Sequence, residues 1–205
     1  VSQRLVLATR NQGKIIELRR ILDAISHGAI ELVSVEQYPE IPDVEETGST
    51  FEENALLKAV AISKATGLPA IADDSGLCVD ALGGAPGIFS ARYAGKHGDD
   101  NANLNKVLVE LQGVEDTNRS AHFTCVTALV MPDGRKVTKM GEFHGFIAHA
   151  PVGDFGFGYD PIFIPQGSSI TSAQMSAQEK DLVSHRGISL RAIAPHVIEL
   201  LGTLG

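Results

Sequence analysis

The run Ile71-Ala72-Asp73-Asp74-Ser75-Gly76-Leu77 constrains what this chain can fold into more than any other segment. Its apolar start reads as a buried strand. The strand then delivers two adjacent carboxylates, a hydroxyl and a glycine. Folding gains nothing from like charges side by side, because they repel. One reading is a strand that ends in a turn, where Asp, Ser and Gly are common. The other is a pair of hard oxygen ligands for a cation such as Mg²⁺, together with a base for activating water. Adjacent side chains on a strand point to opposite faces, so the two carboxylates are expected to play different parts.

The rest of the chain reads as alternating strands and helices. Residues 4–8 form a strand and 14–26 a helix with an apolar face of Ile15, Leu18, Leu22 and Ile25. Residues 30–35 form a second strand, and the acidic, proline-bearing stretch 36–48 a loop. Thr50 and Glu53 have the spacing of a capping box, which opens a helix running to about Ala65 and stopped at Gly67. The strand at the acidic pair spans 69–72, and Gly83 to Gly87 must turn tightly. Residues 101–111 form an amphipathic helix. Residues 121–131 and 136–149 are strands joined at Pro132-Asp133-Gly134-Arg135, a hairpin turn. A short strand is expected at 160–164. Ser176 and Glu179 form a second capping box, before a helix that ends near His185 and Gly187. Pro195 should kink or split the last helix. The pattern implies an α/β fold, a mixed central β-sheet flanked by helices.

At 205 residues the chain can bury one large core and could form two lobes. It has no Trp, only 5% aromatic residues and a net charge of -8, which argues against a nucleic-acid polymer as partner. No apolar stretch approaches the roughly 18–20 residues that span a bilayer, so no membrane partner is expected. Cys78 and Cys125 lack metal-ligand spacing and read as two buried thiols in a reducing compartment. A cytoplasmic enzyme is expected.

Four constellations could carry chemistry. The loop Thr9-Arg10-Asn11-Gln12-Gly13-Lys14 leads into a helix N-terminus, which suits a phosphate, with Lys14 adding charge and Thr9 and Asn11 polar contacts; an ordinary surface turn is the alternative. It is not a Walker A loop, which would need Gly at position 8 and Ser or Thr at position 15. Glu45, Glu46, Asp73 and Asp74 form an acidic set from which Glu46 and Asp74 could hold Mg²⁺ together; a solvated acidic loop is the alternative. Gly153 to Pro161 is glycine-rich. Its Phe157 and Tyr159 could stack on a planar base or cap the core. Lys180, His185 and Arg186 are expected at a helix end, where cations complement the dipole.

Taken together, these segments resemble the inosine triphosphate pyrophosphatase family. The likeness rests on the Thr9–Lys14 loop, EETGSTFEENALLKA from Glu45, ADDSGLCVDALGGAPGIFSARYAG from Ala72, GFGYDPIF from Gly156, and SHRG from Ser184. These motifs span almost the whole chain in the family's order. The chain departs from the family pattern at Arg10, where many bacterial members carry Gly, and the spacing to Lys14 is kept. The resemblance implies a single domain over residues 1–205, with two lobes around a substrate cleft. It also implies Mg²⁺-dependent cleavage of the α–β phosphoanhydride of ITP, dITP or XTP, and a homodimer.

Carried over residue by residue, the resemblance makes Asp74 the base and a metal ligand, with Glu46 as the second ligand. Thr9, Arg10, Asn11, Gln12, Gly13, Lys14, Lys58, Ser75 and Lys180 would contact the substrate, the three lysines at phosphate. Phe157, Gly158, Tyr159, Asp160, His185 and Arg186 would form the base pocket. Two competing readings are pyrophosphatases resembling the septum-formation inhibitor, which cleave modified pyrimidine nucleotides, and a catalytically silent nucleotide-binding module. The first lacks the GFGYDPIF and SHRG pair. The second would be expected to have lost Asp74 or Lys14.

Overall fold

The computed structural model describes residues 3–202. Its strands are β1 (Gln3–Leu7), β2 (Ile30–Ser34), β3 (Ala70–Val79), β4 (Ser120–Val130), β5 (Lys136–Ile147) and β6 (Phe163–Pro165). Its helices are α1 (Gln12–Ser26), α2 (Phe51–Thr66), α3 (Asp100–Glu110), α4 (Ala177–Val183) and α5 (His185–Gly202). The strands form one sheet in the order β2-β1-β3-β4-β5-β6. β1 pairs in parallel with β2 and β3, and β6 runs antiparallel to β5, so the sheet is mixed. The α/β reading holds.

The described residues divide into two compact units. The first comprises those up to Asp74, with Cys125–Gly141 and those from Arg186 on; the second comprises Ser75–Thr124 and Glu142–His185. In the first unit strand alternation sends β1 side chains to two separate cores. Leu5 and Leu7 pack with Ile15, Leu18 and Leu22 of α1 and Leu190, Ile193 and Val197 of α5. Val6 and Ala8 pack with Ala55, Ala59 and Ile62 of α2. Ile71 of β3 belongs to the first core, and Ala70 and Ala72 to the second. Both faces of this part of the sheet are therefore covered, as parallel strands require. The second unit is built on Leu77, Val79, Leu104, Val107, Phe123, Phe143, Ile162 and Phe163.

Three expectations change. β3 does not stop at Ala72 but runs on through both aspartates to Val79. The carboxylates are therefore mid-strand groups and not turn residues. The strand expected at 160–164 starts later, at Phe163, because Asp160–Ile162 forms a 3₁₀ turn. The helix after the second capping box ends at Val183, and His185 opens α5. The cations of SHRG thus lie in a first turn, where the helix dipole does not favour them. Pro195 lies inside α5, which is assigned as one helix.

At α2 half of the expected capping box forms. Thr50 accepts a hydrogen bond from the Glu53 amide at 3.1 Å, while the Glu53 carboxylate accepts from the amide and hydroxyl of Ser49. Thr50→Ala should therefore cost about 1 kcal/mol of stability, within the usual range of about 0.5–2 for a lost cap. A urea midpoint shifted at unchanged slope would register it.

Candidate active site

In the first unit, alternation along β3 separates the two aspartates. Asp73 follows Ile71 toward the face covered by α1 and α5, and Asp74 follows Ala72 toward the face covered by α2. Their partners come from those helices. Asp73, fully buried, has Oδ2 at 3.0 Å from Lys14 Nζ of α1 and 3.2 Å from Arg186 Nε of α5. The Cys125 thiol donates to the same oxygen at 3.8 Å. Oδ1 of Asp73 is buried with no hydrogen-bond partner. On the α2 side, Lys58 Nζ lies 2.6 Å from Glu46 Oε1 and 3.7 Å from Asp74 Oδ1. Glu45 points to solvent, so of the acidic loop pair only Glu46 is half-buried at this cluster.

The charges respond differently on the two faces. Burial would raise the Asp73 carboxyl, but Lys14, Arg186 and Lys58 together outweigh it and hold it well below the usual carboxylate range. For Asp74 burial wins, with Glu46 adding to it against Lys58 and Lys14, and the carboxyl is raised. Burial disfavours the Lys58 ammonium, yet Asp74, Glu46 and Asp73 more than restore it, so Lys58 stays protonated. Burial, with Asp73 beside it, pushes the Cys125 thiol up to about 11, so it is an inert thiol.

The first loop shapes itself. Asn11 caps α1, accepting from the Lys14 amide at 3.0 Å, and Thr9 Oγ1 accepts from the Asn11 amide at 3.2 Å. Gln12 donates to Glu36 at 2.6 Å. Arg10 pairs with Asp43 and donates to the Ile41 carbonyl at 2.7 Å, tying this loop to the one that carries Glu46. Gly13 lies in the first turn of α1, between Gln12 and Lys14.

The second unit gathers another set. Asp160 Oδ2 lies 2.5 Å from Lys180 Nζ and accepts from the Phe157 amide at 2.9 Å. Lys180 Nζ is 5.3 Å from the centre of the Phe157 ring. The His185 ring stacks on Phe123 at 4.7 Å with 10° between the planes. Gly158 donates to Asp100 at 2.8 Å. Gly156 has φ +76°, and a Cβ built there would run into the Asp160 carboxylate, so the turn that presents Phe157 requires glycine. Tyr159 is a core residue, its hydroxyl donating to the Ser90 carbonyl at 2.7 Å, so of the two aromatics only Phe157 is left partly open. Lys180 thus belongs with Phe157 and Asp160, while Lys14 and Lys58 share the first unit's cluster. Ser75 is half-buried on β3 and belongs to the second unit.

Two groups escaped the sequence reading. Glu17, three residues after Lys14 on α1, is buried and pairs with Arg186. Asn54 is fully buried and four residues before Lys58 on α2. Spacings of three and four put both on the same helix face as a residue already singled out, which was the available signal.

A family model described as the Ham1 family matches residues 5–196. A dITP/XTP pyrophosphatase of Streptomyces avermitilis is 57% identical, the match covering 97% of this chain and 99% of that protein. Among solved structures, a HAM1 protein from Coxiella burnetii superposes with a TM-score of 0.85 at 43% identity, covering 96% of this chain and 99% of that one. A dITP/XTP pyrophosphatase from Mycobacterium abscessus has a TM-score of 0.76 at 48% identity, covering 94% and 100%.

The buried Asp73 makes a pH prediction. Its folded carboxyl lies below its unfolded value of about 3.9, so its contribution to stability is full above that pH and is lost as pH falls toward the folded value. Asp73→Asn leaves Lys14 and Arg186 short of a counter-charge and should cost about 3–5 kcal/mol at neutral pH. Unfolding free energies of wild type and variant should run parallel from about pH 7 to 5 and converge below about pH 4. A gap that stays constant down to pH 2 would mean that Asp73 is not the stabilising anion.

Proposed function

The chain belongs to the Ham1 family, and from that premise we propose how it hydrolyses the aberrant purine nucleoside triphosphates ITP, dITP and XTP to nucleoside monophosphate and pyrophosphate. The observation that carries the reading is the α2-side cluster. Glu46 and Asp74 converge on the single ammonium of Lys58, and the Asp74 carboxyl is raised toward the range of a working base.

The donor set suits Mg²⁺, which takes one or two protein carboxylates and completes its octahedron with water and phosphate oxygens. Glu46 and Asp74 would hold it, since their oxygens already approach one cation. When bound, the ion would neutralise phosphate charge and polarise the phosphoanhydride. Asp74 accepts the proton of the attacking water. The water oxygen bonds to the α-phosphorus, the bond from that phosphorus to the bridging oxygen breaks, and pyrophosphate departs with the electron pair. Lys14 and Lys58 stabilise the charge that builds on the phosphate oxygens. The α1 N-terminus and the Thr9–Gly13 loop add amide donors, with Arg10 holding the loop, and the family resemblance adds Ser75 to the substrate contacts.

The base is assigned to Phe157, Gly158, Asp160, Lys180 and His185, with Tyr159 supporting the turn from the core. Phe157 supplies a face for stacking, and His185 is held in plane by Phe123. A donor aimed at the 6-oxygen of a keto purine faces an amino group in adenine, and an unpaired buried donor costs about 1–3 kcal/mol. The name dITP/XTP pyrophosphatase carried by close relatives supports keto-purine substrates. One family model spanning both units supports a single functional domain. A homodimer rests on the family resemblance, and a cytoplasmic setting on Cys78 and Cys125 being free thiols. Among the described residues no helix is long and apolar enough to cross a membrane.

The test is pyrophosphate release from ITP, dITP, XTP, GTP, ATP and modified pyrimidine triphosphates, with Mg²⁺ and with excess chelator. Keto purines should dominate and chelator should stop turnover. Preference for modified pyrimidines would move the chain to the competing pyrophosphatase class. Asp74→Asn should lower kcat by at least about 10²-fold while the fold persists, since the amide cannot accept the proton. A variant keeping a tenth of wild-type turnover at saturating Mg²⁺ would remove Asp74 from the role of base.

A further inference from the structure

The end of the motif that begins at Ala72, residues 87–95, has no part in the chemistry above, yet it is tied to the turn that carries Phe157. Its first part, Gly87–Arg92, is a 3₁₀ turn. Ser90 Oγ donates to the Gly87 carbonyl at 2.6 Å and accepts from the Leu77 amide of β3 at 2.9 Å. Asn103 of α3, 1% exposed, donates to the Ala91 carbonyl at 3.3 Å and accepts from the Ala94 amide at 2.8 Å. The segment is thus fixed to one strand and one helix of the second unit. It passes that order on, because the Ser90 carbonyl accepts from the Tyr159 hydroxyl.

Three consecutive residues of the Phe157 turn are held by three different groups. The Phe157 amide donates to Asp160, and the Tyr159 hydroxyl to Ser90. Between them the Gly158 amide donates at 2.8 Å to Oδ2 of Asp100, 58 residues away in the chain. Asp100 lies in the first turn of α3, whose Leu104 and Val107 are buried in the second unit's core. It is not the residue that caps this helix. Asp99 does that, its Oδ1 accepting from the Ala102 amide at 3.1 Å. Nor does an exposed hydrogen bond add much to stability, since water satisfies both groups when it opens. What it fixes is conformation. Gly156 and Gly158 have φ of +76° and +64°, a region that glycine enters and leaves freely. A turn with such a residue on each side of Phe157 would otherwise let that ring wander, and a stacking face that must be ordered on binding holds its ligand less tightly.

We propose that Asp100 is a positioning residue for the purine base, acting through the Gly158 amide to hold the Phe157 ring in its stacking position. This rests on the base-pocket role given to Phe157 above.

A double-mutant cycle tests it. Asp100→Ala, Asp100→Asn and Phe157→Ala are measured alone, and Asp100→Ala is combined with Phe157→Ala, each variant checked for an unchanged melting profile. The readouts are KM and kcat for ITP, and the affinity for inosine monophosphate by titration calorimetry. Asp100→Ala should raise KM and weaken inosine monophosphate binding by about fivefold, the loss expected of one hydrogen bond. Its kcat should stay within about twofold of wild type, because the lost interaction concerns binding and not the transition state. Asp100→Asn keeps an oxygen acceptor for the Gly158 amide without the charge, and should recover most of the loss. In the Phe157→Ala background Asp100→Ala should cost less than about twofold, because no ring is left to position. Full additivity with Phe157→Ala would mean that Asp100 acts elsewhere and overturn the proposal. An Asp100→Asn variant as poor as Asp100→Ala would trace the effect to charge at the start of α3 and overturn it too, as would a loss in kcat at unchanged KM. If Phe157→Ala affects binding and Asp100→Ala does not, the proposal alone falls. If Phe157→Ala itself leaves KM and inosine monophosphate affinity unchanged, the base-pocket role of Phe157 falls and the proposal with it.

Discussion

The two-residue repeat of an extended strand, applied at Asp73-Asp74, organises the first unit's chemistry. One step along β3 carries the chain from the face covered by α1 and α5 to the face covered by α2. Two carboxylates that would repel in a turn are thereby separated and given different cations. Asp73 receives Lys14 and Arg186 and is held well below the usual carboxylate range. Asp74 shares Lys58 with Glu46 and, with burial prevailing, is left more basic than an ordinary carboxylate. The same strand thus supplies a structural anion and a candidate base, and the difference between them comes from burial and from the charged groups that each face brings.

The second unit solves a different problem, how to keep charged and aromatic groups in defined places inside a largely apolar shell. Asp160 and Lys180 satisfy one another at 2.5 Å, and the Phe157 amide adds a second donor to the same carboxylate oxygen. That leaves the Phe157 ring where Gly156 turns the chain, and it leaves Lys180 close to the ring. Breaking such a pair would strand a charge in the interior, so its geometry resists drift. The His185 ring is held in the same manner by stacking on Phe123. Both sets therefore gain order from buried partners. That order is what a selective hydrolase needs, since discrimination depends on donors that do not move to accommodate the wrong base.

Local chemistry made much of this legible from the residues alone. Helical periodicity and caps located α1, α2 and α3, because a helix closes its hydrogen bonds within a few residues and carries its own start and stop signals. The Pro132–Arg135 turn gave the hairpin for the same reason. The acidic pair, Lys14 and Lys58 stood out as charged groups in otherwise apolar settings or beside turn residues. Where the reading fell short, the deciding partners were far away in sequence. From sequence β3 ends at Ala72 because charges normally end a buried strand, and Lys14, Arg186 and Lys58 make its continuation tolerable.

The motifs in their order pointed to the family, the alternation of locally legible strands and helices gave the α/β class, and the residues carrying charge were evident from the chain itself, because none of these needs the pairing of distant segments. Pairing was decided only in three dimensions. Nothing near Arg186 in the chain says that it faces Glu17 and Asp73, 169 and 113 residues away. Nothing near Lys180 says that it pairs with Asp160, 20 residues back. The energy of a charge depends on its distance from other charges and from water, and the sheet order and helix packing set those distances.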